Sequence, residues 1–394
     1  MNKINELINS LCPDGVEFRE LGSVLQYEQP SKYIVETTKY DDDYLTPVLT
    51  AGQTFILGYT NETEGIYEAT IENPVIIFDD FTTSFHWVDF NFKVKSSAMK
   101  IVTPKKDAKI IFRFIFYAMR CIIYNPQDHA RQWISVYSRF QIPIPPLPIQ
   151  QEIVNILDKF TQLEAELEAE LEARKKQYEY YRNRLLSAEM VNGKWLMNGR
   201  EVEWKKLGEV THIQRGKRVT KTDLSSEYKY PVYQNCLTPL GNYPLSNCAK
   251  NTTFVIVGGA AGQIGFSNVD FWAADDCCFF QSDKIISKYL YHFLLLIQNS
   301  LFSKVRKASV PRLGRSVLEK IPIPIPPLSE QERIVGILDK FDALVNGGDS
   351  GSKAGMTGSK AGITGSLPAE IEVRRKQYEY YRGKLLNFKP LNKC

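Results

Sequence analysis

Most of the features that would announce an enzyme, a secreted protein or a membrane protein are missing from this chain. Its seven cysteines include no C-x-x-C pair. The odd count, the adjacent Cys277 and Cys278, which cannot easily bridge to each other, and an opening MNKINELINS without an apolar signal region point to a reduced cytoplasm. No long apolar run occurs: the best, Tyr289–Ile297, is broken by His292 and falls far short of a membrane span. The four histidines, His86, His129, His212 and His292, show no metal-ligand spacing, so no metal site is expected. The Asn/Asp-Pro-Pro-aromatic tetrapeptide of amino-methyltransferases is absent. The glycine-rich GGAAGQIG (258–265) misses G-x-G-x-x-G because Ala260 stands where the second glycine is required. It reads instead as a loop whose small residues let the backbone approach another surface. GSKAG lacks the Gly-Lys-Ser/Thr ending and preceding strand of a phosphate loop. The acid pairs Asp79-Asp80 and Asp275-Asp276 read as solvated loop residues, since neighbours on a strand face opposite ways. No catalytic constellation emerges. Net charge is only +4, so electrostatics must be read locally.

What is present is a duplication. IPIPPLPIQQEIVNILDKF (142–160) recurs as IPIPPLSEQERIVGILDKF (323–341), with fourteen identities in nineteen positions at an offset of 181. RKKQYEYYRNRLL (174–186) recurs as RRKQYEYYRGKLL (374–386), and VEFRELG (16–22) as VEWKKLG (202–208). The chain, at 394 residues with 43% hydrophobic content, is therefore two variable domains, each followed by a repeated segment.

Within each repeat the prolines force an extended stop, because proline lacks an amide donor and steers its predecessor out of the α region. The period then becomes helical. Ile153, Ile156, Phe160, Leu163 and Leu167 step three and four, and Tyr178, Tyr181 and Leu185 resume after a stutter near 171–174. The second copy repeats the seam as Ile334, Ile337, Phe341 and Leu344, then Tyr378, Tyr381 and Leu385. Two matching amphipathic helices in one chain can bury each other's faces, which favours an intramolecular antiparallel pair. The alternating glutamates of EAELEAELE (164–172) form either a solvated acidic face or a docking face for a basic protein. Nineteen extra residues in the second copy coincide with the tandem GSKAGMT-GSKAGIT, read as a loop. The helix restarts at Leu367-Pro368.

Both variable domains read as α+β. In the first, Tyr44–Leu49, Thr54–Tyr59, Pro74–Phe78 and Ala98–Val102 read as strands and Ala108–Tyr124 as one buried helix. In the second, Thr253–Val257 and Phe279–Gln281 read as strands and Ile285–Gln298 as a buried helix. The remaining chemistry is that of binding. Three polar loop tips stand out in the first domain: Thr50–Gln53, Asp79–Ser84 with Thr82 and Thr83, and Arg131–Ser135 with Gln132 and Trp133. In the second, Arg215, Lys217 and Arg218 cluster after the LGEV turn, and Lys304, Arg306, Lys307, Arg312 and Arg315 follow the helix. Gln53, Gln132, Gln234, Asn235 and Gln263 are side chains able to pair with adenine edges. The arginines suit guanine or phosphate.

Two variable domains, each followed by IPIPPL…Q..IV.ILDKF and R.KQYEYYR..LL, resemble the specificity (S) subunit of type I restriction–modification systems. LEAELEAELEA, LTAGQTFILGYTNET, IIFDDFTTSFHWVDF and RQWISVYS are most similar to its type IC subgroup. The resemblance implies target-recognition domains at 1–149 and 189–328, each reading half of a split double-stranded DNA site. It implies helices at 150–188 and 329–394, the latter interrupted at 347–366, packed antiparallel as a pseudo-two-fold coiled coil. It further implies a non-catalytic chain that binds no cofactor itself. Two methyltransferase (M) subunits would carry S-adenosylmethionine and methylate adenine at N6. Restriction (R) subunits would add ATP- and Mg-dependent translocation and cleavage. A stand-alone nuclease or methyltransferase, and a two-domain transcriptional regulator, are the competing readings. They differ in predicting activity, or tight DNA binding, without any partner.

Overall fold

A computed structural model describes residues 2–50, 54–126, 131–346 and 366–391. The chain divides into two compact units, Met1–Leu163 with Arg375–Cys394, and Glu164–Arg374.

In the first unit the proline-rich stop is a strand. Gln141–Ile144 pairs antiparallel with Glu17–Glu20, so Phe18 faces Pro143. Proline is tolerated there because the ribbon has only two strands and an open edge. The LGSV turn follows, its Leu21 amide donating to the Phe140 carbonyl at 2.9 Å. A four-stranded antiparallel sheet then runs in the order Leu25–Glu28, Met99–Pro104, Val75–Asp79, Phe85–Val88. A smaller sheet sets Thr46–Leu49 antiparallel to Ile56–Thr60 and parallel to Lys93–Val94.

The second unit repeats this plan in a different sequence. Glu203–Lys206 pairs with Pro322–Ile325. The four-stranded sheet is His212–Arg215, Cys277–Gln281, Thr252–Ile256, Ile264–Ser267. Tyr230–Tyr233 is antiparallel to Asn242–Tyr243 and parallel to Trp272–Ala273. The repeated VEFRE/VEWKK and IPIP segments are thus strand partners of one another, and this mutual pairing explains why both were retained together.

The buried helices are shorter than the apolar runs suggest. The first spans Phe112–Met119, not Ala108–Tyr124, and the second Ser287–Leu296, followed by Gln298–Ser303. In both, a side chain from the repeated motif stops the helix from extending backwards. Gln150 Oε1 accepts the amide of Ile111 at 2.8 Å, and Gln331 Oε1 that of Ile286 at 2.8 Å. Each glutamine amide donates in turn to a proline carbonyl, Pro145 at 2.7 Å and Pro326 at 2.9 Å.

The ILDKF aspartates grip the same helices one turn further on. Asp158 accepts Arg113 Nε at 2.8 Å and the Tyr117 hydroxyl. Burial and that hydrogen bond push the Tyr117 hydroxyl far above the usual phenol range. Asp339 Oδ1 and His292 Nε2 are hydrogen-bonded at 2.9 Å, and the Tyr178 hydroxyl is hydrogen-bonded to His292 Nδ1 at 3.1 Å.

A 40-residue helix, Leu147–Leu186, about 60 Å long at 1.5 Å per residue, runs from the first unit into the second. In the first unit its Phe160 stacks on Tyr381 at 5.5 Å, and Ile153 joins Tyr378 and Leu385 in one core. In the second unit Tyr181 stacks on Phe341 at 5.3 Å, with Tyr178, Leu185 and Ile334 in the core. Ile156, Leu163, Leu167, Ile337 and Leu344 are half-buried. The last helix begins at Leu367, while the tandem repeat at 351–364 lies outside the described residues.

One element escaped the sequence analysis. Glu189–Val191, Lys194–Met197 and Arg200–Glu201 form a three-stranded sheet. Its turns are Asn192-Gly193 and Asn198-Gly199, all four residues with φ between 51° and 78°. Asn-Gly between short strands is a strong hairpin signal, and it was there to be read.

Candidate nucleic-acid interface

The second unit gathers its polar candidates at one end of the four-stranded sheet. Arg215 ends its strand opposite Cys278, and its Nε donates to the Asp275 carbonyl at 2.6 Å. Asp276 Oδ1 accepts Arg312 Nη1 at 3.2 Å. Arg306 and Arg312 bond to each other's backbone at 2.9 and 3.2 Å, which closes a loop with Lys307 at its start.

The glycine-rich segment stitches these pieces together. The Val257 carbonyl accepts the Leu313 amide at 2.9 Å, Gly259 N–H donates to Pro311, and Ala260 N–H donates to Asn235. Gly258 lies so close to Asp276 that a Cβ would come within 2.3 Å of its carboxylate, and Gly259, at φ +82°, would meet Asn235 at 2.8 Å. Only glycine permits both approaches. Arg215, Arg306, Arg312 and Asn235 therefore converge, and Arg215, Arg306 and Arg312 are exposed. Burial raises the Cys278 thiol, while the Arg215 and Arg315 charges pull it back; Arg315 is exposed and its Nε donates to Glu319 at 2.8 Å.

Lys217 and Arg218 follow in the exposed segment after Arg215, with the Lys217 carbonyl accepting Trp272 Nε1 at 2.9 Å. Gln234 and Gln263 are half-buried, and Lys304 and Lys307 exposed.

In the first unit the loop tips fold inward, and three readings need correction. The Asp79-Asp80 pair is not solvated: both residues are buried. Asp79 accepts the Phe81 amide at 2.8 Å and the Thr82 hydroxyl at 2.8 Å, a turn that drives Thr83 to φ 58° and buries it. Gln132 and Trp133, at 2% exposure, are core residues and not groove readers. Gln132 Oε1 accepts the Tyr124 hydroxyl at 2.7 Å, and Trp133 packs against Phe78 at 4.9 Å and Tyr137 at 6.1 Å. An amide side chain suits a base edge only if it reaches solvent, and composition does not reveal that. Thr82 and Arg131 remain exposed, and Gln53 lies outside the described residues.

Heads of one topology, each carrying different polar side chains at its sheet end and closing on a repeated helix, define a duplicated two-headed binding protein. Residues 13–173 and 200–348 match the family described as the type I restriction modification DNA specificity domain. The chain belongs to that family and is a specificity subunit, a kind generally without catalytic activity. It is 40% identical over 426 residues to the EcoR124I/EcoR124II specificity subunit of Escherichia coli, with 98% of each chain covered. It is 31% identical to a putative type I specificity subunit of Haemophilus influenzae, covering 85% of this chain and 86% of the relative. The fold is similar to the S subunit structure from M. genitalium, with TM-score 0.64 at 16% identity over 94% and 96% of the two chains. The duplicated α+β class expected from the repeat is that of the family. Among the described residues, no helix is long and apolar enough to cross a membrane.

Proposed function

We infer that this chain selects the DNA on which a cytoplasmic type I restriction–modification assembly acts, each unit reading one half of a bipartite site. The observation that carries the reading is equal topology with unequal surface chemistry. The two heads share strand order and strand partners, yet the sheet end that presents Arg215, Arg306 and Arg312 in one presents Thr82 and Arg131 in the other. Like heads with unlike side chains read unlike half-sites, so the whole site is asymmetric. In this reading the two repeated helices serve two M subunits. S-adenosylmethionine belongs to those M subunits, and ATP and Mg to the R subunits. This chain contributes recognition and scaffolding.

The test is co-expression with a type I M subunit followed by single-molecule methylome sequencing. The expected result is one asymmetric two-part motif carrying N6-methyladenine in each half, seen only when both subunits are present. Methylation or cleavage by the purified chain alone, or a methylome without a split motif, overturns the reading.

A further inference from the structure

The two heads can be superposed residue by residue through their hydrogen bonds, and one position then stands out. Phe78 faces Lys100 across the first sheet as Val255 faces Cys278 across the second. The Asp80 amide donates to Ala98 as the Val257 amide donates to Asp276, and the Gln132 amide donates to Asp80 as the Leu313 amide donates to Val257. By all three matches Asp80 corresponds to Val257, Lys100 to Cys278, and Arg131 to Arg312.

Where the second head has an apolar pair, the first buries an ion pair. Asp80 and Lys100 are 1% and 0% exposed, with Oδ2 and Nζ 3.2 Å apart and Lys100 4.9 Å over the Tyr27 ring. Charges cost more to bury than apolar groups of similar size, and the second head shows that the fold does not require them. What the first head gains is grip. Asp80 accepts two successive amides, Gln132 on its carbonyl at 2.8 Å and Trp133 on Oδ1 at 2.9 Å. These fix the single helical turn Gln132–Ser135, and the Ser135 hydroxyl bonds back to the Arg131 carbonyl at 2.8 Å. In the second head Arg312 is steadied by Asp276, whose counterpart here is Ala98. The anchoring carboxylate is half-buried in the second head and fully buried in the first.

We propose that Asp80 is a positioning residue that holds Arg131 at the first head's DNA surface, in the place Arg312 occupies in the second, with Lys100 serving only as the counter-charge to its buried carboxylate. This rests on the DNA-reading function above.

The test uses the full S subunit assembled with its M subunit on a library with each half-site randomised in turn. Arg131→Ala weakens methylation of the first half-site by about tenfold and leaves discrimination at the second unchanged. The double variant Asp80→Val/Lys100→Cys, which installs the second head's residues, retains thermal stability but loses the first half-site to a similar degree. Adding Arg131→Ala to it costs nothing further, as coupled residues require. Asp80→Asn/Lys100→Met removes the charges, keeps an acceptor for Trp133, and reads the first half-site as wild type. Normal reading by the Val/Cys variant, additive losses, or no effect of Arg131→Ala overturns the proposal. Should the Val/Cys variant not fold, Asp80→Ala/Lys100→Met, which also removes the acceptor for Trp133, takes its place: loss of the first half-site is expected, and wild-type reading overturns the proposal. A wild-type complex without a split motif would instead sink the DNA-reading function itself.

Discussion

Gln150 and Gln151 are neighbours of one chemical type, and the structure assigns them opposite worth. Gln150 is 1% exposed and bonds two backbone groups, the Ile111 amide at 2.8 Å and the Pro145 carbonyl at 2.7 Å. Gln151 is exposed and bonds Asn155 one turn along its own helix at 2.9 Å. Truncating Gln150 to alanine leaves both backbone partners in the protein interior. Each of the two groups left without its bond costs about 1–3 kcal/mol, so the total is about 2–6 kcal/mol. Gln151→Ala removes a surface bond and stays within about 0.5 kcal/mol. With a urea m-value near 2 kcal/mol/M for a unit this size, Gln150→Ala moves the midpoint of the first unit down by about 1–3 M. Urea titration followed by hydrogen exchange of peptides covering 111–119 isolates that unit's transition. Equal midpoints for the two alanine variants would refute the account of the repeated glutamine as the clamp between head and helix.

Arg312→Ala should weaken DNA binding by the assembled complex about tenfold and lower its salt slope by about one, read by titration at two salt concentrations. Glu330 is buried, and its hydrogen bond from Arg333 holds its carboxyl below the ordinary glutamate range. Its stabilising contribution is therefore present at neutral pH and disappears as pH falls below about 4, so Glu330→Gln should narrow the gap between melting temperatures at pH 7 and pH 4. Deletion of Gly351–Thr364 should leave methylation intact in the co-expression assay, because the seams on either side are complete. Insertion of one further LEAE tetrad should lengthen the unread gap in the methylome motif and leave both half-sites unaltered.

The parts that sequence made legible are those where the two copies agree. IPIPPL, ILDKF and QYEYYR recur because the same strand pairing, the same glutamine clamp and the same aspartate grip are built twice, and each needs particular residues. The common strand order of the heads left no such trace. A sheet needs apolar alternation and not identical residues, so Val75–Asp79 and Thr252–Ile256 hold equivalent places with little in common. Exposure was legible for side chains such as Arg215 and Arg312, which do reach solvent. It was misread where RQWIS turned inward, because burial of Gln132 depends on Tyr124 and Asp80, which lie outside any local window. The reverse failure is instructive too. Two Asn-Gly pairs within eight residues marked a hairpin that periodicity passed over.

The ribbon of Glu17–Glu20 with Gln141–Ile144, and its counterpart in the second unit, brings each head's first and last strands side by side. Everything between those strands hangs from a stem with both ends at one point, like a bulb in a socket. Length changes or wholesale replacement within a bulb leave the socket's geometry untouched, so a new head can be fitted without redesigning what it plugs into.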